Sequence, residues 1–157
     1  MAELLAELVT LVLPEVKYFP ATRSHLCSMF ERREKVDITH GHRLPKQVCG
    51  FDEVDLRLRI SGMMSDPSGW HISLLIQNCR VDGFGWEYEF ANTEGNLQNG
   101  WHRHVWCPRK RDADGKIGVT LFDVDELTFE KFLLWSLKEM RILLMKEANS
   151  GNLYLDS

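Results

Sequence analysis

Hydrophobic positions change period twice along this chain. Between residues 2 and 13, Leu4, Leu5, Leu8, Val9 and Val12 crowd one side of a helical wheel, and Pro14 ends the run because it has no N–H to continue it. "ATRSHLCSMFERREKV" predicts a second helix, with Thr22 or Ser24 as cap and Leu26, Met29 and Phe30 as its apolar stripe. "KVDIT" at its end reads equally well as a strand. In "VDLRLRI" (54–60) the period becomes two: Val54, Leu56, Leu58 and Ile60 face one way and Asp55, Arg57 and Arg59 the other. "SGMMSDPSG" is a loop, and "HISLLIQ" (71–77) is the next strand. "NCRVDGFGWEYEF" (78–90) continues a meander, with Asp82-Gly83 or Gly85 supplying a turn or bulge. After the polar loop "ANTEGNLQNG" come a strand "WHRHVW" (101–106), a charged turn "RKRDADGK" and a last strand "IGVTLF" (117–122).

The helical period then returns over roughly 125–147. Asp123 followed by Glu126 suits a capping box, and Phe129, Phe132, Leu133, Leu137, Met140 and Leu144 form a core stripe. Leu134, Trp135, Ile142, Leu143 and Met145 make this helix apolar on more than one side, so it is either sandwiched in the protein or covered by a partner. Gly151 is a plausible stop. The expected fold is one α+β domain over 1–157. It has an N-terminal helical segment (about 2–34), an antiparallel meander of about four or five strands (about 54–122) with helices packed on one face, and a long C-terminal helix.

Composition narrows the classes. With 157 residues, 44% hydrophobic and 27% charged, the chain can bury a proper core and is not of disordered type. A net charge of −4 argues against a general nucleic-acid coat and leaves room for a local basic patch. Cys27, Cys49, Cys79 and Cys107 contain no C-x-x-C pair, so a zinc ribbon is not indicated and reduced thiols are expected. "MAELLAELVTLVLPEV" has no basic flank and carries Glu3 and Glu7, so it reads as neither a secretory signal nor a membrane span; the expected location is cytoplasmic, with no membrane partner.

The stretch "GWHRHVWCPRKR" concentrates the candidate chemistry. In a strand, His102, His104 and Trp106 share one face and Trp101, Arg103 and Val105 the other. Pairing with strand 86–90 would set Glu87 and Glu89 beside the two histidines and leave Trp86, Tyr88 and Phe90 on the opposite, helix-covered face. Such a constellation suits acid–base catalysis, because imidazole titrates near neutrality, or divalent-metal binding at His102 and His104 with a carboxylate as third ligand. The H-x-H of the cupins is followed within a few residues by a glutamate, and "VWCPRKR" lacks it. A second H-x-H lies in "ITHGHRLPK", where His40, His42 and Arg43 are candidate substrate contacts; His25 and His71 read as structural. Arg103, Arg109, Lys110 and Arg111 can bind phosphate, with Trp106 as a stacking surface, or form a basic turn balanced by Asp112 and Asp114. There is no Walker or G-x-G-x-x-G loop and no G-x-S-x-G elbow.

The segment "HISLLIQNCRVDGFGWEYEFANTEGNLQNGWHRHVW" is a run of strands, a polar "ANTEG" loop, an H-x-H strand and then a helix. It resembles the TumE-like proteins, small toxins encoded beside helix-turn-helix antitoxins, over roughly residues 70–145. The resemblance implies a growth-inhibiting toxin acting on RNA or a nucleotide without a required cofactor, with an antitoxin or other protein partner on its C-terminal helix; a homodimer is a separate expectation. His102 and His104 would be base and acid, and Arg109 or Arg43 the cation for the phosphorane charge. Two other readings stand beside it: a non-catalytic interaction protein of a phage or mobile element that binds through its apolar helix, and an H-x-H metal-binding protein.

Overall fold

The computed structural model describes residues 2–39, 55–107, 112–119 and 128–144. The elements in chain order are α1 (Ala2–Val12), β1 (Lys17–Phe19), α2 (Arg23–Glu31), β2 (Val36–Thr39), β3 (Leu56–Met63), β4 (Asp66–Ile76), β5 (Cys79–Ala91), β6 (Leu97–Cys107), β7 (Asp112–Gly118), α3 (Phe129–Glu139) and β8 (Ile142–Leu144). Strands β2 to β7 form one six-stranded sheet in sequence order, every neighbouring pair antiparallel. Strands β1 and β8 form a separate parallel pair.

The expected α+β domain with four or five strands and a long C-terminal helix is therefore corrected to a mostly-sheet fold. Helix α3 is 11 residues long. It starts at Thr128, whose side chain accepts from Lys131 N at 3.2 Å, while Asp123 lies outside the described residues. It ends at Met140 because Arg141 takes a left-handed φ of 57°. Leu144, read from sequence as part of the core stripe of a long helix, and Ile142, read on its second apolar side, are instead the buried positions of β8, paired with Phe19 and Lys17. Short apolar runs fit either period, and pairing with β1 decides between them.

Strand β3 keeps its expected alternation. Leu56, Leu58 and Ile60 are buried, while Arg57 and Arg59 reach Asp37 across the β2–β3 ladder, Arg59 Nη2 at 3.0 Å and Arg57 Nη1 at 3.6 Å. Helices α2 and α3 cover one face of the sheet. Phe30 stacks on Phe129 at 3.8 Å between centroids, Trp101 on Phe132 at 4.9 Å, and Trp135 meets Phe84 edge-on at 4.5 Å. Trp135, on the second apolar side of α3, is thus packed on the sheet. Among the described residues, no helix is long and apolar enough to cross a membrane.

Candidate metal centre

The face of the sheet away from Trp101 and Phe84 carries the histidines. The ladder fixes them in two cross-strand rows: His71 (β4), Gly85 (β5), His102 (β6) and Gly118 (β7), then Ser73, Gly83, His104 and Lys116. Because alternate residues share a face, His71 and Ser73, Gly83, Gly85 and Glu87, and His102 and His104 all project to the same side. The two glycines lie between the histidine-bearing strands and put no side chain there, so the rings lean inward over β5. A methyl group on Gly85 would lie 2.6 Å from His71 Cδ2 and 3.1 Å from His102 Cε1, and one on Gly83 would lie 3.3 Å from His104 Cδ2. The imidazoles converge: centroids are 5.7 Å apart for His71 and His102, 5.5 Å for His71 and His104, and 5.0 Å for His102 and His104. One ring nitrogen from each of the three lies within 4.8 Å of the others.

His102 and His104 are buried; neither ring nitrogen of His104 has a hydrogen-bond partner, and those of His102 make no well-formed one, with long contacts toward Glu87 and the Gly100 backbone. Burial disfavours the imidazolium, most of all at His104, where the charge of Arg80 adds to it; the pKa values fall to about 4 for His102 and about 2 for His104. Both rings are therefore neutral at neutral pH, with a lone pair available. His71 is held by a 3.1 Å contact between its Nδ1 and the Gly69 carbonyl, which leaves Nε2 turned toward Glu87 Oε1 at 3.5 Å. His102 Nε2 lies 3.5 Å from the same oxygen, and Lys116 Nζ donates to it at 2.8 Å. Burial opposes ionisation of Glu87, but the Lys116 hydrogen bond and charge outweigh it and hold the carboxyl below its ordinary pKa. Glu87 and Lys116 keep about a quarter of their side chains exposed, so this edge of the cluster meets solvent.

Of the residues singled out from sequence, His102, His104 and Glu87 come together. Glu89 does not: the β5–β6 register shifts between Glu87 and Phe90, leaving Glu89 exposed and bringing Phe90 over His102 at 4.8 Å. Arg103 lies on the opposite face as expected, but it is engaged there. Its Nε and Nη2 fork onto Asp82 at 2.9 and 2.8 Å, and its guanidinium sits 4.9 Å from the Phe84 centroid. Trp106 is half-buried against the core. His40, His42, Arg43, Arg109, Lys110 and Arg111 lie outside the described residues. His71, read from sequence as structural, is instead the third member of the cluster. The signal for it was "DGFGW": two glycines on one face of a strand, where side chains from both neighbouring strands must meet.

Comparison with known protein-family models, with curated proteins and with solved structures finds no match to this chain.

Proposed function

We propose that this protein binds a divalent transition-metal ion through His71, His102 and His104, with Glu87 beside the ion as fourth ligand or as proton acceptor. One observation carries the reading: three imidazoles from β4 and β6 converge, and the buried ring of His104 has both nitrogens unpartnered while that of His102 makes no well-formed hydrogen bond. A buried polar group without a hydrogen bond costs about 1–3 kcal/mol, and a shared cation satisfies one nitrogen from each ring. Imidazole–zinc bonds of about 2.0–2.1 Å place tetrahedral ligands about 3.4 Å apart, so side-chain rotations from the 4.8 Å spacing complete the site. Imidazole donors suit zinc, copper, iron and nickel. Three protein ligands with one edge open to solvent is the pattern of catalytic rather than structural zinc sites, where the metal acts as Lewis acid and activates water.

Isothermal titration of metal-free protein with zinc and cobalt tests this. The expected result is one ion per chain, with affinity reduced about a hundredfold or more in His71→Ala and in His104→Ala. Binding that is absent, or that survives loss of either histidine, overturns it.

The toxin-like reading uses His102 and His104 as metal-free base and acid on RNA. The acid role needs an imidazolium, which burial disfavours at both rings; Arg109 and Arg43, its candidate cations, lie outside the described residues. The metal reading therefore fits the geometry better. Bacterial growth on induced expression, wild type against His102→Ala/His104→Ala at matched protein levels, tests the toxin-like reading directly.

A further inference from the structure

Arg80 stands on the histidine face. The β4–β5 ladder shifts between Leu74 and Leu75, so Arg80, not Val81, falls opposite Leu75, which shares its side of β4 with His71 and Ser73. Its Nε is buried without a hydrogen-bond partner, and along β5 it lies next to the row of Ser73, Gly83 and His104. Lys116, facing His104 from β7, is the second cation of this face. Among the described residues, the carboxylate touching the cluster is Glu87, and Lys116 already matches it. A divalent ion on the three histidines would thus sit beside a guanidinium, with Glu87, already matched by Lys116, as the acid at the cluster among the described residues. A site with that excess of positive charge is built for an anion, and a planar guanidinium donor favours one with several oxygens.

We propose that the ligand of this centre is a phosphate dianion, free or as the terminal group of a phosphomonoester, bound on the metal and held by Arg80 with Lys116 at the exposed edge. This rests on the metal reading above, in the form that keeps Glu87 off the ion as proton acceptor. The phosphate oxygens take the ion's open position and accept from the guanidinium, while Lys116 is shared between Glu87 and the ligand. Arg80 is then a substrate-binding residue that the sequence alone did not single out.

The test uses cobalt-loaded full-length protein, whose visible spectrum reports the metal's coordination, titrated with inorganic phosphate. The expected result is a saturable spectral change, with phosphate affinity lowered about tenfold or more in Arg80→Gln and cobalt affinity within about threefold of wild type. Arg80→Lys, which keeps the charge and loses the planar fork, should fall between the two and guards against a folding defect in Arg80→Gln. If cobalt binds and phosphate leaves the spectrum unchanged, or if both Arg80 variants bind phosphate like wild type, the inference is overturned and the metal site stands. If cobalt does not bind, both are overturned.

Discussion

Gly85 occupies the position between His71 and His102, where a methyl group would sit 2.6 Å from one ring and 3.1 Å from the other. Gly85→Ala should therefore push the imidazoles apart without touching a ligand atom's chemistry. The expected outcome is metal affinity lowered about 10–100-fold, the range for changes that disturb ligand orientation, with a stability cost of about 1–3 kcal/mol for overpacking. Metal titration alongside urea unfolding of the metal-free variant separates the two effects; unchanged metal affinity would show that the rings do not need the glycine. At this scale the sequence was half legible. Strand alternation put His102 and His104 on one face, and an assumed pairing with strand 86–90 added Glu87 and Glu89. It did not reveal His71, because alternation assigns a residue to a face and says nothing of the row in which a neighbouring strand will hold it. Nor did it place Glu89, because the register shift after Glu87 breaks the alternation.

Between elements, two buried charges do the joining. Lys17, fully buried, donates from Nζ to Leu13 O at 2.8 Å and to Met140 O at 2.7 Å, so one ammonium caps the carbonyl ends of both α1 and α3. Burial lowers its pKa from 10.5 to about 8. Between those values the unfolded chain keeps the proton and the folded chain releases it. Lys17's share of stability is thus lowest below pH 8 and rises by about 3 kcal/mol toward pH 10.5. Urea midpoints through this window should show that rise in wild type and lose it in Lys17→Met; equal slopes in the two proteins would refute the shift. The Arg103–Asp82 fork is the second joint. Arg103→Met leaves Asp82 buried without its partner and should cost about 2–3 kcal/mol, less than a fully buried pair because Arg103 keeps 36% of its side chain exposed. Adding Asp82→Asn should recover part of that loss in the same unfolding assay. Strands β3 and β6 were legible at this scale because their alternation is strong, whereas β1 was not read and β7 runs through residues expected as a charged turn. The C-terminal segment was not, because Ile142 and Leu144 suit a helix stripe as well as a strand until Arg141 reverses the chain and β1 supplies a partner.

Over the whole molecule, the proposed centre joins β4 to β6 across the middle of the six-stranded sheet, so metal binding and folding should be one linked equilibrium. The unfolded chain cannot hold His71, His102 and His104 together, and an ion that binds only the folded state stabilises it by mass action. At a free metal concentration about a thousand times the dissociation constant, this amounts to about 4 kcal/mol. For a chain of this length, that corresponds to a rise in melting temperature of several degrees or more. The shift should vanish when the metal is removed with a chelator and return when it is restored. In His104→Ala it should be nearly absent, while the metal-free variant melts close to metal-free wild type or above it, because the substitution also removes two unpartnered buried nitrogens. Calorimetric scans of both proteins with and without zinc give all four values. An equal zinc shift in wild type and His104→Ala would place the ion elsewhere on the chain and remove the basis for a metal centre on this face.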